Sequence, residues 1–307
     1  MNPAECAKTE RPVHHLDMRP ATATMILAAT VTIAAETSFV SAISAWRQDR
    51  EARLKAPGGW LSVAGLSWLK PGQNEAGSAP AAEIRLPKRA PQRVGSFTLD
   101  GESVSFHAAP DAKVTINGKP QTAAKLQDDR NGNPDIVEVA GLKLHVIRRG
   151  ARIGIRMKDD ESEYRKNFQG LRWYPAKREW AISARFVPYS PPRKMSFDSQ
   201  TGDKQDYMSP GYVEFAWQGR TLRLTPVEED GKLFFVFRDR TAGKTTYPAA
   251  RFLYADPPVN GRVVLDFNKA YNPPCVFTPY ATCPLPPPEN RLPVEVTAGE
   301  LMYEAGH

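Results

Sequence analysis

The chain has 307 residues, of which 41% are hydrophobic and 24% charged, with a formal net charge of +7. This is ordinary globular composition with enough length for one large core or two smaller ones, so wholesale disorder is excluded. No apolar run in the second half is long enough to cross a bilayer, which excludes a polytopic membrane protein, and the 28 prolines exclude long helices over much of the chain.

The N-terminus differs from the rest. An uncharged stretch, ATATMILAATVTIAA from Ala21 to Ala35, follows Arg19 and ends in small residues, the arrangement of a secretory signal. Met18 is a natural start for it, and Val40-Ser41-Ala42 offers a peptidase site, with cleavage after Ala34 or Ala35 as the alternatives. An uncleaved anchor is the competing reading, but the apolar core falls short of the ~20 residues a span needs. Cys6 lies upstream of that core and cannot be a lipoprotein cysteine. Residues 1–42 are therefore expected to be a signal peptide, and the mature protein to be periplasmic or secreted with no transmembrane span. Residues 43–58 read as a helix and linker, with Ile43, Trp46 and Leu54 near one side and Pro57-Gly58-Gly59 as its end.

From Trp60 onward the hydrophobic period is two, and Asx-Gly pairs mark turns at Asp100-Gly101, Asn117-Gly118, Asn131-Gly132, Asp230-Gly231 and Asn260-Gly261. The fold class predicted is mostly β, with a sandwich-like N-terminal region, a β-sheet or barrel-like C-terminal region and a short N-terminal helix. Residues 59–157 form the first region and 158–307 the second, with the charged and aromatic stretch from Asp159 to Trp180 between them. LFFVF (Leu233 to Phe237) and VVLDF (Val263 to Phe267) read as strands buried on both faces, in the middle of a sheet. Gly77-Ser78-Ala79-Pro80, then Glu83-Ile84-Arg85-Leu86-Pro87, then VTINGKP and LKLHVIRRG, resemble the layout of a forkhead-associated type β-sandwich over residues 72–157. In that family an arginine after the early glycine and a serine and histidine in a following loop contact phosphothreonine. Ser78 stands where the arginine would be and no Ser-x-x-His lies between Arg85 and Val104, so phosphopeptide binding is not implied.

Charge is concentrated between Lys143 and Lys194, where 14 Lys and Arg face 5 Asp and Glu, and seven aromatics from Tyr164 to Tyr189 are interleaved. Such a block suits an anionic neighbour, or else the solvated outer faces of strands. An exported protein seldom meets intracellular nucleic acid, so a nucleic-acid partner is not expected.

The segments FRDRTAGKTTYPAARFL (Phe237 to Leu253) and LDFNKAYNPPCVFTPYATCPLPPPENRLPVEVTAGE (Leu265 to Glu300) resemble the bacterial family known as domain of unknown function 1684. That resemblance implies shared architecture and carries no activity. Within the block, Arg238, Asp239, Tyr247, Arg251, Asp266, Asn268, Asn272 and Asn290 are the candidate ligand-binding residues, because a guanidinium fork takes a carboxylate or phosphate bidentately. Internal pairing, Arg238 with Asp266 or Arg251 with Asp239, is the structural alternative, since buried polar groups must be satisfied. Cys275 and Cys283 are candidates for a disulfide in an oxidising compartment, with free or redox-active thiols and a metal site as rivals. Metal is disfavoured because the mature chain has three histidines, His107, His145 and His307, none near the cysteines in sequence.

Ala242-Gly243-Lys244-Thr245 imitates a phosphate-binding loop, but Arg238 occupies the earlier glycine position, and neither G-x-S-x-G nor H-E-x-x-H occurs. No cofactor is implied. The leading expectation is binding of a small anionic or carbohydrate-like ligand through the C-terminal β region. The alternatives are a cell-envelope hydrolase using Asp239, Asp266, Tyr247 and Arg251, or an envelope protein-interaction module.

Overall fold

A computed structural model describes residues 21–304. The first 20 residues of the expected signal peptide lie outside the described residues, as does His307. From Ala21 the chain is one helix, α1 (Ala21–Lys55), which runs through residue 42 and ends before Pro57. No helix among the described residues is long and apolar enough to cross a membrane. Ile43 and Leu54 of α1 are buried, and Trp46 meets Trp173 edge-on at 5.8 Å.

The rest is mostly β. The first region is a two-sheet sandwich built from β1 (Val63–Trp68), β2 (Gly72–Gly77), β3 (Ile84–Arg85), β4 (Gly95–Asp100), β5 (Ser103–Ala108), β6 (Thr115–Ile116), β7 (Lys119–Pro120), β8 (Ala123–Leu126), β9 (Val137–Val139), β10 (Leu142–Arg149) and β11 (Arg152–Asp159). One sheet has the order β1-β11-β10-β9-β6-β7 and the other β3-β2-β4-β5-β8. Alternation decides which residues meet between the sheets: Leu142, Leu144 and Val146 of β10 and Ile153, Ile155 and Met157 of β11 join Phe97 and Phe106 in one core. The same alternation turns His145 and Arg156, cross-strand partners, to the outer face of the six-stranded sheet.

A single helical turn, α2 (Glu163–Lys166), capped by Ser162, leads into the second region. There β12 (Ala181–Asp198), β13 (Lys204–Trp217), β14 (Arg220–Leu224) and β18 (Arg262–Asp266) form a sheet of order β14-β13-β12-β18. A smaller sheet has the order β15 (Val227–Glu229), β16 (Lys232–Phe237), β17 (Arg251–Ala255). LFFVF lies in β16, the middle strand, and is buried on both faces: Leu233, Phe235 and Phe237 enter one core and Phe234 and Val236 another. VVLDF departs from expectation. It begins in β18, an edge strand whose Val263 and Leu265 are buried while Val264 is 59% exposed. A run of apolar residues does not reveal that its second face lacks a covering layer.

The Asx-Gly pairs turn the chain as their chemistry predicts. Asn117-Gly118, Asp230-Gly231 and Asn260-Gly261 have positive φ at both positions, and the first two close tight hairpins between Ile116 and Lys119 and between Glu229 and Lys232. Asn131-Gly132 instead ends a short 3-10 turn.

Candidate ligand-binding cleft

The sequence-predicted site residues are, for the most part, consumed inside the second region. Arg251 is 1% exposed; its guanidinium donates to Asp239 Oδ2 at 3.0 Å, to the carbonyl of Val296 at 3.0 Å and to the carbonyl of Ala298. Asp239 Oδ1 accepts from the Thr241 hydroxyl at 2.6 Å and from the backbone N–H groups of Thr241 and Val296. The pair ties β17 to the C-terminal segment, and neither residue lines the cleft described below. Of the two ion pairs considered from sequence, this one forms; Arg238 is exposed, and Asp266 is within 3.5 Å of Lys269.

The asparagines act likewise. Asn290 receives the Thr225 N–H at 2.8 Å and donates to the carbonyls of Thr225 and Val236, standing in for a strand neighbour. Asn268 exchanges hydrogen bonds with both backbone groups of Lys177 at 2.9 and 2.8 Å. Asn272 donates to Glu300 Oε1 at 2.8 Å and to the carbonyl of Leu301, leaving its Oδ1 without a partner. The four residues of the hydrolase reading are not gathered: Asp239 and Arg251 neutralise each other in the core, Tyr247 lies beside Cys275, and Asp266 lies at a separate cleft.

Cys275 and Cys283 are free thiols in contact, the Cys275 N–H donating to Cys283 Sγ at 3.3 Å. Hydrogen bonds from the Cys283 thiol and from the Tyr247 hydroxyl lower the Cys275 pKa, and burial pushes Cys283 well up. Cys275 is thus the more readily ionised thiol of the two. Among the described residues no three His, Cys, Asp or Glu side chains come together as metal ligands.

Asp266 and Cys283 do border a cavity, an open cleft of about 1120 Å³ between α1, the outer face of the sandwich and the small sheet of the second region. Such a volume suits a small molecule. One wall is an aromatic stack: Tyr254 lies over Phe234 at 4.7 Å and nearly parallel to Tyr271 at 6.4 Å. Arg50 of α1 holds its guanidinium 4.2 Å over the Tyr271 ring while donating to Glu300 Oε2 at 2.8 Å and to the carbonyl of Asn272 at 2.9 Å. The Tyr254 hydroxyl donates to the Glu229 carboxylate; burial, with Tyr271 and Glu229 alongside, keeps that phenol protonated. Burial likewise pushes Tyr207, on another part of the lining, up to about 12. These phenols are ring surfaces and hydrogen-bond donors, not bases, at neutral pH.

The opposite wall comes from the sandwich. Arg149 pairs with Asp129 at 2.8 Å and donates from Nε to Thr282 Oγ1 at 2.9 Å. Behind it is Arg156, 4% exposed, reaching Thr282 Oγ1 with Nη2 at 3.3 Å and lying 5.4 Å from the Trp60 ring. None of these wall residues is among the sequence candidates. The usable signal is the local excess of cations from Lys143 onward, combined with the alternation that sends Ile153, Ile155 and Met157 inward and Arg156 outward.

No curated protein matches the chain. Among solved structures, an uncharacterized protein from Haloarcula marismortui determined by solution NMR is 29% identical, covering 45% of this chain and 78% of that one at a TM-score of 0.38. The FhaA FHA domain, solved with the intracellular domain of Rv3910, is 18% identical, covering 30% of this chain and 97% of that one at 0.22. The family match falls on the second region: residues 166–301, which hold the Arg251–Asp239 pair, both neighbouring cysteines and the stacked tyrosines of the cleft, match the family described as Protein of unknown function (DUF1684).

Proposed function

We propose that the protein binds a small anionic molecule carrying a ring, such as an aromatic acid or an acidic sugar, in the cleft between α1, the sandwich and the small sheet. The observation that carries this reading is the stacked aromatic wall of a cleft of about 1120 Å³ whose lining also holds Arg50, Arg149 and Lys269, each with a carboxylate partner in Glu300, Asp129 and Asp266. A ring gains dispersion and quadrupole contacts on such a wall, and an anionic substituent is drawn to the guanidinium groups. Thermal-shift and native mass-spectrometric screening of the full chain against aromatic acids, glycans and phosphorylated compounds tests the reading. A ligand held at a hundred times its dissociation constant stabilises by about 2.7 kcal/mol, so a clear rise in the unfolding midpoint is expected for anionic ring compounds. Absence of any rise across the screen overturns it.

The same proposal includes export. Of the α1 anchors, Ile43, Trp46, Arg50 and Leu54 follow residue 42 and would keep the helix seated on the cleft after cleavage there, while the contacts of Glu36 and Phe39 with Arg178 would be lost. In an oxidising compartment the contacting thiols of Cys275 and Cys283 would exchange with a small-molecule disulfide, losing two protons and two electrons to it as they join. Intact mass of protein recovered from its source cells, alkylated with and without reductant, reads both points. An unprocessed N-terminus, or two alkylated thiols without reductant, would remove the corresponding part.

A further inference from the structure

Two buried basic side chains face the C-terminal region from the outer face of the sandwich without the partners such groups require. Arg156 makes no ion pair among the described residues. Its only hydrogen bond among them is from Nη2 to Thr282 Oγ1 at 3.3 Å, and its Nε has no acceptor. His145, its cross-strand neighbour, is 6% exposed with Nδ1 unpartnered. A buried guanidinium left this way is costly, because its desolvation is offset only by a carboxylate at a distance, that of Asp129, and by none in contact. Burial, and then the neighbouring Arg149, lower Arg156 to about 10; this still leaves it charged at neutral pH.

The surroundings fit a missing anion. Thr282 lines the cleft, and its Oγ1 accepts from Arg149 and Arg156 together. With two donors already pointing at that oxygen, the hydroxyl proton is free to be given to a further acceptor. Asp129 neutralises Arg149, and burial with the positive charges of Arg156 and Lys158 holds His145 at about 4, hence uncharged. Arg156 is therefore the guanidinium of this end with no carboxylate in contact, Asp129 acting on it only from a distance. One unit of negative charge balances it; a phosphate monoester, closer to two, exceeds it.

We propose that Arg149 and Thr282, which line the cleft, and Arg156, which stands behind them on Thr282, form its anion-binding end and receive the carboxylate of a small carboxylic acid whose ring lies toward Trp60 and Tyr207. This rests on the reading of the cleft as a small-molecule site and adds the chemical class of the group it recognises. In the absence of such a ligand Arg156 is a liability to the fold. Replacing it by methionine, which keeps the stem and drops the charge, removes that liability.

The test uses the full chain and three probes of one shape, benzoate, phenyl phosphate and benzyl alcohol, titrated calorimetrically into the wild type and Arg156→Met, with unfolding midpoints measured for both. Without the guanidinium to donate a charge-assisted hydrogen bond, Arg156→Met is expected to bind benzoate about tenfold to a hundredfold more weakly, with benzyl alcohol unaffected. Benzoate is expected to bind wild type better than phenyl phosphate, and the ligand-free variant to unfold at or above the wild-type midpoint. Thr282→Val is expected to weaken benzoate less, while leaving the order of probes unchanged. Benzyl alcohol binding as well as benzoate would overturn the carboxylate end and leave the cleft reading standing. Phenyl phosphate binding most tightly would overturn the carboxylate class. Failure of all three probes, with a destabilised Arg156→Met, would overturn both readings and make Arg156 a structural residue.

Discussion

The core of the second region and the outer face of the sandwich each bury an arginine, and the two are treated in opposite ways. Arg251, 1% exposed, is met by a carboxylate and two carbonyls; Arg156, 4% exposed, is met by a shared threonine hydroxyl and the distant ring of Trp60. Burial alone therefore says nothing about purpose. Both leave Nε without an acceptor, so the difference lies in the other guanidinium nitrogens: those of Arg251 are committed to a carboxylate and two carbonyls, whereas Arg156 has one shared threonine hydroxyl.

Breaking the satisfied side should give the largest effect. Arg251→Met strands the Asp239 carboxylate in the core and frees the carbonyls of Val296 and Ala298, and a destabilisation of about 3–5 kcal/mol is expected in denaturant unfolding. The ligand-free Arg156→Met protein should show no comparable drop. Equal drops in the two variants would erase the contrast.

A smaller effect sharpens the sandwich side through pH. His145 is held at about 4, first by burial and then by Arg156 and Lys158, with Arg149 adding and Asp129 opposing, against an ordinary value of 6.5. Between those values the unfolded chain binds a proton that the folded chain refuses, so stability present above pH 6.5 is lost as pH falls toward 4. The full decrease is about 3 kcal/mol. His145→Gln should flatten that part of the stability profile, and an unchanged slope would mean the imidazole is not held neutral by this face.

The smallest effect belongs to the surface. Lys244 and Glu295 pair at 3.0 Å with both side chains more than half exposed, and Lys244→Ala should leave the unfolding midpoint unchanged within error. A clear drop would mean that exposed pairs near the Arg251 knot contribute more than solvent screening allows.

Much of the framework is readable from local chemistry. Asn117-Gly118 and Asp230-Gly231 close hairpins because a turn with positive φ at both centres needs those residues, and β16 is central because its apolar side chains have no polar alternates. β18 misleads for a reason no periodicity contains: Val264 borders a cavity, not a second layer. The eight polar candidates stand out because polar residues interrupt apolar strands. Neither their number nor their type tells whether carbonyls or solvent await them, and for Asn268 and Asn290 it is carbonyls. The cleft is harder to read, since Arg50, Arg149, Tyr254 and Thr282 come from different segments of chain, and Arg156 behind them sits in an unremarkable alternating strand.

The hydrogen bond between Arg50 and Glu300 spans 250 positions of sequence. A wall of the cleft is thus locked by a carboxylate synthesised 250 residues after it. The helix has nothing to dock on until the second region has emerged and folded, because long-range closure follows the ordering of what lies between. A nascent chain that has not yet reached Glu300 consequently carries no finished cleft.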